Sequence, residues 1–195
     1  KSTKWCWFVV VSRPFQSPKD KTAVASPKVT SLPKEAPCFF MGSCFGEEMH
    51  VRMKALGMDS NANPFGVIFH PHALKNNCAL IENAASRALF ESHIQPADFF
   101  EYQGIFHSLQ HANKFQHPQS KALYEAVFEA AHQAYHQLKQ AQFIGITLGT
   151  AWIYRHKPSQ QLVGNCHKLP QQDFEKSLSK QIDVQAQIIG IINHL

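Results

Sequence analysis

Apolar residues recur along this chain with two periods, and the switches between them predict its elements. Cys38-Phe39-Phe40-Met41 is an uninterrupted apolar run, as a buried strand requires. It leads into Gly42-Ser43, after which Met49, Met53 and Leu56 follow at helical spacing and predict a helix over 45–56, stopped by Gly57. Residues 58–62 predict a short strand, and Asn63-Pro64-Phe65-Gly66 a loop. Leu74, Cys78, Ile81, Ala85 and Leu89 predict a helix from Pro71 to about residue 89. Tyr102-Gln103-Gly104-Ile105 predicts a turn between two short strands, the second reaching His111. Leu123, Val127, Ala131, Ala134 and Leu138 form the clearest stripe, a helix over 120–139. Phe143-Ile144-Gly145-Ile146-Thr147-Leu148 reads as a central parallel strand covered on both faces. Beyond it, residues 153–169 predict a hairpin turning near Pro158-Ser159. Asp173-Phe174 predicts the start of a short helix, and Ser179 the cap of a last one.

Strands alternating with helices imply an α/β fold, a three-layer α/β/α sandwich with a mainly parallel sheet. Sites in such sheets lie at strand C-terminal ends. Gly42-Ser43 and Gly149-Thr150 both fall there and are expected to face one crevice. Residues 1–36, an apolar burst and then a Pro/Ser/Lys-rich run, predict an arm or linker ahead of a domain at 37–195. The first residue is not Met, and the apolar periodicity of Ile188-Ile189-Gly190-Ile191-Ile192 runs up to the end. The expectation is therefore a piece of a larger domain, incomplete at its C-terminus.

A length of 195 residues allows a real core, and no apolar run is long enough to span a bilayer. The net charge of +5 comes from scattered lysines, which argues against a nucleic-acid partner. Five cysteines without a CxxC pair predict free thiols in a reducing, cytoplasmic compartment. His70-Pro71-His72 lacks a neighbouring carboxylate and reads as a surface loop. His132 and His136 stand four apart without an HExxH frame and read as a solvated helix face. Trp152 and Tyr154 read as packing residues, and neither a metal nor a cofactor is expected.

The chemistry concentrates at Ser43. A hydroxyl between a strand and a helix meets the helix N-terminal amides and the positive end of the dipole, which suits a nucleophile whose reaction develops negative charge. An ordinary N-cap is the plain alternative. Cys44 is a second candidate nucleophile, because helix N-termini lower thiol pKa.

Several blocks then match a known pattern. Gly42-Ser43-Cys44-Phe45-Gly46-Glu47 resembles the signature that names the GSCFA family, with Gly46 in place of alanine. Asn63-Pro64-Phe65-Gly66-Val67-Ile68-Phe69-His70-Pro71 is similar to its NPFG-(I/V)-x-x-NP block, with His70 for asparagine. Phe106-His107-Ser108 with His111 resembles WHS-x-x-H. Residues 147–154 and 165–170 resemble TLGTAW-x-Y and NCHKLP. The blocks stand in family order over about residues 38–178.

The resemblance implies a distant relation to the SGNH, or GDSL-like, hydrolases: ester or acyl chemistry on a carbohydrate or small-molecule ester, with Ser43 as nucleophile. Gly66 would be the oxyanion glycine. Cys44, Asn63, Gly149, Thr150, Asn165, His107, His111 and His167 are candidates for oxyanion or site-lining roles. Two departures stand out. No asparagine occurs in Gly149-Thr150-Ala151-Trp152, where that superfamily has Gly-x-Asn-Asp, so Asn63 or Asn165 is the expected substitute. No suitable Asp-x-x-His follows residue 170, so the triad's His and Asp are expected outside this chain, which alone would be inactive. A non-catalytic binding module on the same scaffold is the alternative.

Overall fold

The computed structural model describes residues 34–195 and the backbone of 7–12. In chain order the elements are β1 (Trp7–Ser12), β2 (Cys38–Gly42), α1 (Cys44–Ala55), β3 (Ser60–Ala62), α2 (Pro71–Asn83), α3 (Arg87–Glu91), β4 (Phe100–Tyr102), β5 (Ile105–His107), β6 (Gln116–His117), α4 (Ser120–Gln140), β7 (Phe143–Leu148), β8 (Trp152–His156), β9 (Leu162–Val163), β10 (Phe174–Leu178) and α5 (Gln181–His194).

The main sheet has the order β1-β7-β2-β3, with β7, β2 and β3 parallel and β1 antiparallel to β7. Alternation along β2 builds the layers. Phe39 and Met41 enter the large core with Leu74 and Ile81 of α2 and Leu123 and Val127 of α4. Cys38 and Phe40 turn the other way, against Met49 and Met53 of α1. The fold is thus α/β, with helices on both faces of a mostly parallel sheet. The buried strand at 143–148 occupies an interior position, as its nearly continuous apolar run predicts. Gly145 is needed there for a close approach: a Cβ would lie 2.5 Å from the Phe40 ring. Two small antiparallel sheets, β10-β8-β9 and β4-β5-β6, flank this unit. The burst at 7–12, read as part of an arm, supplies β1. Trp5, Cys6 and the Pro-rich run at 13–33 lie outside the described residues.

Elsewhere the fold departs from the sequence expectations. The helix from Pro71 stops at Asn83, and a separate turn begins where the Ser86 hydroxyl accepts the Leu89 N–H. The strand after Gly104 ends at His107, and residues 108–111 turn. Phe174 opens no helix: Phe174–Leu178 is a strand, because β8 offers it a full antiparallel partner. Ser179 does not cap α5; the cap position is Lys180, and the Ser179 hydroxyl meets His70 Nε2 at 2.9 Å. His70 itself is buried rather than on a surface loop. It caps α2, its Nδ1 accepting the His72 N–H at 3.0 Å. Trp152 is 43% exposed, with Lys176 Nζ 4.5 Å from its ring centre, and so is not a core packing residue. Cys38, Cys44, Cys78 and Cys166 are free thiols, and burial pushes Cys78 up to about 12. No helix among the described residues is long and apolar enough to cross a membrane.

Candidate functional site

The C-terminal end of β2 is held from three directions. The Gly42 N–H donates to Asn63 Oδ1 at 2.7 Å, and its carbonyl accepts the Ile68 N–H at 2.8 Å. The Ser43 N–H then donates to the Thr147 carbonyl at 2.8 Å and to Thr147 Oγ1 at 3.0 Å. Ser43 occupies the N-cap position of α1, yet its side chain makes no capping bond. Its hydroxyl donates instead to Thr147 Oγ1, 2.9 Å away, and the residue is 8% exposed. An N-cap serine ordinarily spends its oxygen on the helix amides; this one is turned towards the neighbouring strand.

Asn63 sits beside it in a left-handed conformation (φ 43°), with Nδ2 3.4 Å from the Ser43 carbonyl. The Gly66 N–H is committed to the Asn63 carbonyl at 2.8 Å, and the Ser43 N–H to Thr147. Asn63 Nδ2 thus adjoins Ser43 by donating to its carbonyl, and the next amide along the chain, that of Cys44 at the opening of α1, has no intrahelical acceptor. Cys44 is exposed.

Gly149-Thr150 follows the same strand end, and the 66–69 loop that bonds Gly42 through Ile68 also holds it. The Phe69 carbonyl accepts the N–H groups of Gly149 and Thr150 at 3.0 and 3.3 Å. The Phe69 ring covers Gly149, where a Cβ would stand 2.7 Å from it. Thr150 Oγ1 accepts the Trp152 N–H. The residue that does meet Ser43, Thr147, stands two positions earlier, and its only sequence signal is a lone hydroxyl in an apolar strand.

His107, His111 and His167 gather in a second cluster, behind Phe65. The His111 ring stacks on Phe65 with centroids 4.4 Å apart, and its Nδ1 lies 2.7 Å from Ser108 Oγ. Burial, then the nearby His167, drives the His111 pKa down to about 3. His167 Nε2 faces two carbonyl oxygens, Ser108 at 2.6 Å and His111 at 2.9 Å, so Nε2 carries the proton. Among the described residues nothing hydrogen-bonds its buried Nδ1 or the buried Nδ1 of His107, and the centroids of the two rings are 5.3 Å apart. Burial lowers both pKa values. His167 and Lys168 are both left-handed (φ 49° and 59°), locked by the His167 N–H donating to Asn165 Oδ1 at 2.8 Å. Asn165 thus shapes its own turn, while His107 and His167 help line a depression of about 430 Å³ with Tyr102, His117 and Lys168. Phe65, in the same loop as Asn63, reaches this second cluster: its carbonyl accepts the Ala112 N–H at 2.9 Å, and its ring carries His111. Among the described residues no histidine hydrogen-bonds Ser43.

Fold and site together define an α/β protein with a serine at a strand–turn–helix junction. The chain belongs to the GSCFA family, whose sequence model matches residues 37–195. No curated protein and no solved structure is significantly similar to it.

The family's alanine fits the site. A Cβ on Gly46 would meet Phe40 Cβ and Thr147 Oγ1 at 3.5 Å and Asn63 Nδ2 at 3.9 Å, all ordinary contacts. Gly46→Ala is therefore expected to stabilise the protein by about 0.5–1 kcal/mol through helix propensity. The check is the urea midpoint, which should rise; a fall would mean that the space between α1, Phe40 and Thr147 is tighter than described.

Proposed function

We propose that this chain carries the nucleophile of an SGNH-like serine esterase or acyltransferase that acts on a carbohydrate or small-molecule ester, with Ser43 attacking the acyl carbon. The observation that carries the reading is the Ser43 side chain. It sits at a helix N-terminus, gives the helix no capping bond, and is held in one rotamer by Thr147 Oγ1. Asn63 Nδ2 and the Cys44 amide are the donors proposed for the tetrahedral oxyanion. A serine needs a base within about 3 Å to lose its proton. Thr147 is not one, so the reading places the histidine in a segment other than the described residues. The free thiols support a reducing compartment.

The alternative, a non-catalytic binding module, has its own support. The amides of Ser43 and Gly66 are committed within the fold, and no asparagine stands in the Gly149 block. A fluorophosphonate probe on the full-length protein separates the two. Labelling of the wild type that disappears in Ser43→Ala is the expected result. Equal labelling of both proteins would remove Ser43 from the nucleophile's role, and no labelling of either would favour the binding module.

A further inference from the structure

α4 carries a pair of histidines that the Ser43 site does not use. His132 and His136 are one helical turn apart, with their Nε2 atoms 3.3 Å from each other and ring centroids 4.6 Å apart. His132 is fixed from behind. Its Nδ1 lies 2.8 Å from the Ala84 carbonyl, and a carbonyl can only accept, so the proton is on Nδ1 and Nε2 is a lone pair. The same ring lies nearly parallel to Phe128, at 15° and 5.4 Å. In the metal-free protein His136 Nε2–H donates to His132 Nε2.

Two imidazole nitrogens bound to one ion at about 2.0–2.1 Å, in tetrahedral or square-planar geometry, stand about 2.9–3.4 Å apart. The observed separation matches that bite. A backbone carbonyl on the far nitrogen is also the outer partner that metal-bound histidines ordinarily have. We propose that His132 and His136 form a bidentate site for a late first-row divalent cation, Cu²⁺ foremost, with Ni²⁺ and Zn²⁺ weaker. His136 shifts its proton from Nε2 to the solvent side through water, and the ion enters between the two lone pairs with no net proton released. Among the described residues no group of three or more His, Cys, Asp or Glu surrounds a metal position, so water completes the coordination and the ion exchanges readily. Metal on Nε2 makes the Nδ1–H a stronger donor to Ala84, the C-cap residue of α2. The ion therefore tightens α4 against α2.

The test is calorimetric titration of Cu²⁺ into the intact, tag-free protein near neutral pH, beside His136→Gln. The exposed position of His136 lets that variant fold. The wild type is expected to show a binding class that the variant lacks. Affinity should fall about tenfold or more, since even the loss of an outer partner costs that much. Cu²⁺ should raise the thermal midpoint of the wild type only, and paramagnetic broadening of amide signals should centre on residues 132–136 and 84. Wild-type affinity and stoichiometry in His136→Gln would overturn the site. If that variant did not fold, broadening centred elsewhere in the wild type would overturn it alone.

Discussion

Gly42→Ala is expected to abolish the native fold. Gly42 has φ +120°, a conformation that a Cβ disfavours, and the added carbon would lie 1.9 Å from the Thr147 carbonyl oxygen. That oxygen is backbone in an interior strand and cannot step aside. Moving Gly42 instead would break the bond from its N–H to Asn63, the bond from Ile68 to its carbonyl, and its pairing with Thr147. The Ser43 bonds to Thr147 would go with them. The loss should exceed about 4 kcal/mol, in the range reserved for broken backbone geometry in a core, against a typical total of about 5–15 kcal/mol. Soluble yield and urea unfolding measure it. A Gly42→Ala protein with the parent's midpoint would mean that β2 and β7 do not meet as described.

Mild acid is expected to unfold the protein. Burial first, then the neighbouring His72, lowers His70 to about 4, and burial with His167 lowers His111 to about 3. Unfolded, both return to about 6.5. Above that pH both states hold neutral imidazoles and stability is complete. Below it the unfolded chain binds protons that the folded chain refuses, so stability falls with falling pH. The fall ends near pH 4 for His70 and near pH 3 for His111. From pH 6.5 to 4 each contributes a loss of about 3 kcal/mol, at about 1.4 kcal/mol per unit. Their sum rivals the whole stability of a small domain. Burial lowers His72, His107, His156 and His167 in the same direction. Far-UV dichroism should show a cooperative transition between pH 6.5 and 4, and His111→Leu should flatten its acid limb. A protein fully folded at pH 4, with unchanged urea midpoint, would contradict the burial of these rings.

The elements that periodicity foretold are those whose information is local. The stripe of α4 and the nearly continuous apolar run of β7 need no partner to be recognised, and Gly57, with φ +77°, stops α1 as its position suggests. β10 was hidden because only Phe174 and Leu178 in it are apolar; its strand state comes from pairing with β8. The break between α2 and α3 was hidden because Ala84-Ala85 contains no breaker, and the Ser86 cap is visible only once the backbone turns. At the site, the strand–turn–helix pattern pointed to Ser43, and Asn63 was one of two asparagines named for it. Thr147 was camouflaged, since threonine is an ordinary strand residue. Gly149 and Thr150 follow β7 as its run suggests; that their N–H groups are held by the Phe69 carbonyl, from a loop far away in sequence, was not legible in the local pattern.

The flank of the main sheet beside β2 ends in β3, only three residues long and built of Ser60, Asn61 and Ala62. So brief and hydrophilic a rim offers few open peptide groups to another molecule. Among the described residues this edge is of the short, polar kind that disfavours the addition of a foreign strand.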